Sequence, residues 1–202
     1  MNVFKKPERN ENDGLKGGFK MNKAEIELRN LCDLSFAVQD YETASQNAQY
    51  PLKDFKMCKA FKYAASCLEV QLLSQVAYDL SNGYPIQIQQ LEVQAREAYS
   101  LYHNSYQSDL LIKYAIMISE LYEILERIDL SASYMSRIAY EIQGAPILIA
   151  LFFEQAALQY LQLKKYRKFA FFMIQAGMNF NSAEQTEYAM NCYMLIHPFY
   201  QA

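Results

Sequence analysis

The sequence predicts an all-α fold, an α-solenoid of antiparallel helical hairpins, and three observations lead to that class. Apolar residues recur at helical spacings of three and four along most of the 202-residue chain, which is typical of helices with one buried stripe. Small residues stand among aromatic ones, so two helices can pack closely while rings fill the gaps. Valine is scarce and alternating apolar and polar runs are rare, so we do not expect strands.

The N-terminal segment, residues 1–22, differs from the rest of the chain in composition. It holds paired glycines, many charges and few large apolar side chains. Such a segment cannot bury enough apolar surface to offset the entropy that it would lose on ordering. We therefore expect residues 1–22 to be a disordered polar tail or linker, and residues 23–202 to form the α-helical repeat domain.

In the first half of that domain, the periodicity predicts helices over residues 23–39, 41–49, 57–80 and 86–103. Gln39 and Asp40 form a tight polar turn between the first two helices. Pro51 is expected to end the second helix, because the residue before a proline is disfavoured in the α conformation. Residues 81–85, Ser-Asn-Gly-Tyr-Pro, are a loop by their turn chemistry.

In the second half, the periodicity predicts helices over residues 110–127, 129–142, 146–162, 166–180 and 182–197. The hairpin Pro146–Phe180 has the clearest pattern, with buried stripes on both helices. Ser182 and Gln185 have the spacing of a capping box that starts the last helix, and Pro198 is expected to end it. The apolar face of this last helix looks unfinished, which suggests a fragment of a longer protein or a unit docked on a partner.

The predicted hairpins recur along the chain at a nearly repeating distance. Units begin near residues 24, 57, 108, 147 and 182, often close to the thirty-odd residues of a tetratricopeptide hairpin. Tyr41 with Ala44, and Tyr166 with Ala170, both place a tyrosine after a polar turn and an alanine about one helical turn later. We therefore expect a tetratricopeptide-like α-solenoid rather than a strict repeat array.

Composition excludes several classes of function. A net charge of −3 argues against a dedicated nucleic-acid surface, since such domains are usually strongly basic. The longest uncharged apolar run, residues 145–153, is shorter than the roughly 20 residues that a bilayer span requires. The N-terminus has no apolar signal-peptide core. The expected location is therefore the cytoplasm.

The sequence contains no constellation that predicts catalysis, a metal or a cofactor. It has no Gly-rich phosphate loop and no nucleophile elbow, so we expect neither an enzyme nor a small-molecule substrate. The potential metal ligands lack zinc-site spacing; they are Cys32, Cys58, Cys67, Cys192, His103 and His197. We expect buried or half-buried thiols and surface histidines at helix ends, and we interpret Glu120, Glu123 and Glu126 as a solvated face.

One polar cluster suggests an interaction surface: Lys164, Lys165, Arg167 and Lys168, in and after the turn of the Pro146–Phe180 hairpin. Two interpretations remain open. The cations can meet an acidic partner or anionic lipid headgroups, at about 1 kcal/mol per charge near such a surface. Alternatively, they form a solubilising turn, with some charges placed favourably near the C-terminal dipole of the preceding helix.

Seven segments together resemble, in order, the helical-repeat region of a known family, the eighth large subunit of the TRAPP (trafficking protein particle) vesicle-tethering complex. These segments are residues 28–36, 39–44, 52–55, 63–69, 154–157, 167–177 and 189–193. The resemblance covers roughly residues 27–80 and 110–196. Its motifs are packing motifs, so they indicate a family without marking a functional site.

The resemblance implies a non-catalytic scaffold subunit that acts in endoplasmic-reticulum-to-Golgi vesicle transport and in autophagy. Its implied partners are other TRAPP subunits and, indirectly, a Rab-family GTPase whose nucleotide exchange other subunits catalyse. A cytoplasmic position peripheral to Golgi or endoplasmic reticulum membranes is also implied. Because the family's subunit is several times longer, we expect a fragment of a larger subunit. The alternative is a free-standing tetratricopeptide-like adaptor that binds a peptide of a partner protein.

Overall fold

A computed structural model describes residues 23–200, and within them the chain forms nine α-helices and no strands. The helices are α1 (Lys23–Ala37), α2 (Tyr41–Met57), α3 (Phe61–Asn82), α4 (Ile88–Asn104), α5 (Ser108–Ile124), α6 (Ile128–Glu141), α7 (Pro146–Gln162), α8 (Tyr166–Ser182) and α9 (Thr186–Tyr200). The predicted all-α class and its hairpin construction are confirmed. The predicted tail, residues 1–22, lies outside the described residues.

The helices are grouped into two compact units, the first ending at Gln107 and the second beginning at Ser108. In the first unit, α1 packs against α2, α2 against α3 and α3 against α4, and α1 also contacts α3. In the second unit, α5 to α9 pack in the same consecutive way. The assignment of residues 23–202 to one repeat domain stays a prediction.

Six interhelical turns share one backbone motif. In each, a residue other than glycine adopts a left-handed conformation, with φ between 56° and 67°; these residues are Gln39, Lys59, Tyr106, Glu126, Lys164 and Glu184. In most of them the next backbone N–H donates to the carbonyl five residues earlier, as from Lys165 to Tyr160 at 2.9 Å. This is the Schellman closure of a helix end, and it reverses the chain within three residues.

The remaining two connections, after α3 and after α6, use glycine instead. Gly83 and Gly144 have φ of 69° and 72°, and Pro85 and Pro146 follow within two residues. Glycine adopts this conformation without the Cβ clash that other residues meet, and Pro146 stands at the start of α7, where its missing N–H costs nothing.

Polar side chains cross the core of each unit. In the first unit, Tyr102 on α4 donates to the buried carboxylate of Glu69 on α3, and Arg29 on α1 donates to Ser66 at 2.8 Å. Burial, reinforced by the Glu69 charge, raises the pKa of the Tyr102 hydroxyl. In the second unit, the Gln159 amide on α7 donates to Ser131 on α6 at 2.8 Å. These bonds fix which helix faces meet, since unpaired buried polar groups are costly.

The predicted interruption at Pro51 is wrong, because α2 continues through it to Met57. Pro51 is buried, and so are Leu52 and Phe55 beyond it. Residues 50–57 add about two turns of helix, and the apolar surface that they bury outweighs the one backbone hydrogen bond that proline removes. The next helix accordingly begins at Phe61, after a turn, and not at Met57.

Two expectations about the last helix are also wrong. Ser182 does not cap α9; it is the last residue of α8, and its hydroxyl donates to the Met178 carbonyl at 2.9 Å. Pro198 does not end α9, which runs on to Tyr200 with the proline inside it. A proline so close to a helix end removes one hydrogen bond, and packing of the neighbouring Ile196 and Phe199 holds the turn in place.

Candidate interaction surface

The predicted cationic cluster lies where the chain passes from α7 to α8. Lys164 is the left-handed residue of the turn, with φ of 57°, and Lys165 immediately precedes α8. Arg167 and Lys168 belong to the first turn of α8. The sequence interpretation placed Lys164 and Lys165 in a turn between two amphipathic helices, with the other two cations after it, and the structure does the same.

All four cationic side chains are exposed. Within residues 23–200, none of the four forms an ion pair or a side-chain hydrogen bond. Lys168 has a different kind of contact, since its Nζ lies 4.8 Å from the centre of the Tyr160 ring. That distance is within the range of a cation–π interaction. The other three ammonium and guanidinium groups face solvent.

Three stacked aromatic rings lie next to the turn, and one of them contacts Lys168. Tyr160 is 5% exposed and stacks on Phe172 with ring centres 5.4 Å apart. Phe172 in turn stacks on Phe153, at 5.9 Å. Burial raises the pKa of the Tyr160 hydroxyl, although a hydrogen bond with Ser136 and the nearby Lys165 charge oppose the shift. The ring beneath Lys168 is therefore itself packed against other rings.

Three further rings lie beside the cations at the surface. Tyr166 stacks on Phe199 of α9 with centres 5.4 Å apart, and Phe199 also meets the buried Phe169 edge-on at 5.2 Å. Tyr166 and Phe199 are 48% and 41% exposed, and Phe171, one helical turn after Lys168, is 48% exposed. Sequence reasoning missed Phe171 and Phe199 as members of this surface.

We call this set the basic–aromatic surface; it consists of Lys164, Lys165, Tyr166, Arg167, Lys168, Phe171 and Phe199. Its charge is concentrated, because no acidic residue occurs between Glu154 and Glu184 although the chain as a whole carries a net charge of −3. The carboxylate of Asp129 acts electrostatically on Tyr160. It accepts two hydrogen bonds from the Arg127 guanidinium, at 3.0 and 3.1 Å. These hydrogen bonds lower the pKa of the Asp129 carboxyl.

The other residues singled out in the sequence lie elsewhere. Cys32, Cys67 and Cys192 are buried, and burial raises the pKa of Cys67 to about 12 and that of Cys192 to about 11. Cys58 lies in the turn after α2 and not on a helix. Among the described residues, no three His, Cys, Asp or Glu side chains are grouped so that they could hold a metal ion.

The predicted histidine and glutamate positions are as follows. His103 and His197 are exposed in the last turns of α4 and α9. Glu120, Glu123 and Glu126 are all exposed, as a solvated face requires. Glu123 has an additional structural role, since its carboxylate accepts hydrogen bonds from Gln159 and Ser131.

An open apolar depression of about 480 Å³ lies at the other end of α7. It is lined by Ala145, Pro146, Ile147, Leu148, Leu151 and Ala183. The lining offers no charged or hydrogen-bonding side chain, so it suits an apolar group only. None of the described helices combines the length and the apolar character that crossing a bilayer demands.

The fold and the surface define a class, a protein of helical hairpins with an exposed cationic surface. A family model described as the ER-Golgi trafficking TRAPP I complex 85 kDa subunit matches residues 5–126. The chain belongs to this family. The match includes residues 81–109 and most of the predicted tail, so the family pattern extends beyond the two ranges that the packing motifs marked.

A relative shows the same kinship. The human protein named trafficking protein particle complex subunit 8 is 30% identical over 173 residues, which is 84% of this chain. An alignment of that length extends beyond residue 126, where the family match ends. The chain spans 12% of the length of this relative.

Proposed function

We propose that this chain is a non-catalytic scaffold segment of a TRAPP-type tethering complex in endoplasmic-reticulum-to-Golgi vesicle transport. The family match over residues 5–126 carries the proposal. The construction of residues 23–200 from helical hairpins supports it, because stacked hairpins present extended surfaces to partner proteins. Since the chain spans 12% of its human relative, it supplies one part of such a scaffold.

Other TRAPP subunits are the partners in this proposal. A Rab-family GTPase is an indirect partner, because nucleotide exchange is assigned to the other subunits of the complex. The proposal includes a cytoplasmic position with peripheral contact to Golgi or endoplasmic reticulum membranes, and a role in autophagy. The name of the human relative, a trafficking protein particle complex subunit, supports the assignment to such a complex.

Quantitative affinity purification of the tagged 202-residue chain from cells tests the proposal. We expect other TRAPP subunits to be enriched over a tag-only control. A Leu72→Pro variant serves as a misfolded control, since Leu72 is buried within α3 and proline there breaks the helix. Failure to recover any TRAPP subunit with the folded chain contradicts the proposal.

A free-standing peptide-binding adaptor is the second candidate. The apolar depression beside Ile147 and Leu151 favours it, because a pocket of that kind can accept one large apolar side chain of a peptide. In the same purification, this candidate predicts a partner outside the TRAPP complex whose recovery falls when Leu151→Asp places a charge in the depression. Unchanged recovery with Leu151→Asp excludes this pocket as the peptide site.

A further inference from the structure

We propose that the basic–aromatic surface of α7–α9 binds the anionic phospholipid headgroups of a membrane. The inference rests on the peripheral membrane contact in the proposed function, and it adds the residues that make this contact and the lipids that they select. Nothing in the family match assigns a ligand to these residues, which all lie outside its range of 5–126.

The charges of the surface favour an anionic ligand. Four cations occur within residues 164–168, and the nearest acidic residues along the chain are Glu154 and Glu184. Among the described residues, none of the four side chains is neutralised by an ion pair. Their mutual repulsion is therefore relieved only by solvent, by salt or by a bound anion.

The residue types favour a lipid surface over an acidic protein. Three of the four cations are lysines, and lysine is depleted from protein–protein interfaces whereas arginine is enriched there. A lysine ammonium is a compact, strongly hydrated charge, which suits attraction to a fluid layer of headgroups rather than to one fixed carboxylate. Clusters of about four to eight Lys and Arg residues on an amphipathic helix are typical of binding to anionic lipids, and Arg167 and Lys168 lie on α8 with Lys164 and Lys165 directly before it.

The exposed rings fit the same ligand. Tyr166, Phe171 and Phe199 flank the cations and are each close to half exposed. Tyrosine is enriched at the headgroup level of membranes because one end of its ring is apolar and the other polar, and phenylalanine occurs on the apolar faces of helices that lie in the membrane interface. The stacking of Tyr166 on Phe199 holds two of these rings in place, so little side-chain freedom is lost on binding.

The first unit supplies a matched control set of four lysines around the turn from α2 to α3: Lys53, Lys56, Lys59 and Lys62. In contrast with the basic–aromatic surface, acidic residues lie near these lysines. Lys56 pairs with Glu97 at 2.6 Å, and Asp54 lies between the first two lysines. This set has the same number of cations but a smaller local net charge.

Co-flotation of the purified 202-residue chain with vesicles tests the inference. We expect binding to phosphatidylcholine vesicles that contain phosphatidylserine and no binding to phosphatidylcholine alone. Each neutralised cation should weaken binding about fivefold, so the variant K164Q/K165Q/R167Q/K168Q should bind at least about a hundredfold more weakly. The variant K53Q/K56Q/K59Q/K62Q should bind within about fivefold of the unmodified chain. Circular dichroism checks that both variants keep their helix content.

Two further measurements separate the charges from the rings. Shortening the Debye length from about 10 Å to about 3 Å with salt should release the chain from the vesicles. The Tyr166→Ala/Phe171→Ala variant, which keeps all four cations, should bind several-fold more weakly yet respond to salt in the same way. If this variant binds as tightly as the unmodified chain, the rings do not belong to the site and that part of the inference is overturned.

Several outcomes overturn the inference as a whole. Equal losses in the two lysine variants would mean that overall charge, and not this surface, drives binding. Capture by immobilised polyglutamate without vesicle binding would assign the surface to an acidic protein instead. Recovery of TRAPP subunits by the K164Q/K165Q/R167Q/K168Q variant is the control for the proposed function. If that recovery holds while vesicle binding of the unmodified chain is absent, only the lipid inference fails.

Discussion

Two lysine-rich turns, α2–α3 and α7–α8, are alike in backbone and unlike in surroundings. Lys59 and Lys164 adopt nearly the same left-handed conformation, with φ of 56° and 57°. Beneath the turns, Phe55 and Phe169 are each 1% exposed. The first turn includes an ion pair with Glu97 at 2.6 Å, whereas the second stands in a stretch without acidic residues.

The difference shows that the number of cations in a turn does not by itself give its local net charge. Both turns carry four cations, and the same Schellman closure accounts for the position of each turn. What separates them is whether acids on neighbouring helices compensate the charge. This comparison makes the α2–α3 turn a control for every experiment on the α7–α8 turn.

The largest expected effect comes from the phenylalanines beneath the two turns. Phe55→Ala and Phe169→Ala should each lower the free energy of unfolding by about 3–5 kcal/mol, because each removes a buried ring and leaves a cavity. Phe199→Ala, at a residue that is 41% exposed, should lower it by less than about 1.5 kcal/mol. Urea denaturation followed by circular dichroism measures all three. A harmless Phe169→Ala would contradict the burial of this ring.

The two left-handed lysines should respond alike to glycine. Lys59→Gly and Lys164→Gly should each raise the free energy of unfolding by about 0.5–1 kcal/mol, because the relief of Cβ strain exceeds the added entropy of the unfolded chain. Lys165→Gly is the matched control, since its φ of −90° gives no strain to relieve. Thermal denaturation compares the three. Destabilisation by both glycines at the left-handed positions would mean that the lysine side chains hold the turns.

The cation–π contacts should differ between the turns. Lys168 lies 4.8 Å from the Tyr160 ring, whereas Lys62 lies 5.8 Å from the Tyr63 ring. Lys168→Gln should therefore lower the free energy of unfolding by about 0.5 kcal/mol and Lys62→Gln by less. Lys168→Arg keeps a positive charge over the ring, so it should leave the free energy of unfolding unchanged. Equal effects of Lys168→Gln and Lys168→Arg would assign the loss to side-chain packing alone.

The smallest expected effect is the coupling between Lys56 and Glu97. Both side chains are partly exposed, at 37% and 45%, so solvent screens the pair. A double-mutant cycle with Lys56→Gln and Glu97→Gln should give a coupling of about 0.2–1 kcal/mol that declines with added salt. A coupling that salt leaves unchanged would show a hydrogen bond rather than a charge interaction. The cations of the α7–α8 turn have no such partner among the described residues.

The fold could be predicted from the sequence as far as helix class and hairpin order, because the apolar stripes are local and periodic. Several boundaries could not. The left-handed turn residues are lysine, glutamine, glutamate and tyrosine rather than glycine, so the usual marker of a helix end is missing. Pro51 gave the opposite error, since burial of Phe55 stabilises a helix that local rules would end.

Prediction of the surface was similarly partial. Its cations are neighbours in the sequence and were found there. Phe199 joins them from another helix through its stacking on Tyr166, and no local spacing predicts a contact over that separation. The exposure of Phe171 could not be predicted, because Phe171 is adjacent to Phe172 in a run of aromatic and small residues. In such a run, only the exact helical phase determines which ring faces solvent.

The most direct test of the account is quantitative affinity purification of the unmodified chain and the two four-cation variants, with proteins and membrane lipids measured in the same eluates. We expect all three to recover other TRAPP subunits equally, and only the K164Q/K165Q/R167Q/K168Q variant to lose anionic phospholipid. Absence of TRAPP subunits from the unmodified chain would contradict the proposed scaffold function. Loss of phospholipid from the K53Q/K56Q/K59Q/K62Q variant to the same extent would contradict the assignment of the α7–α8 turn as the membrane contact.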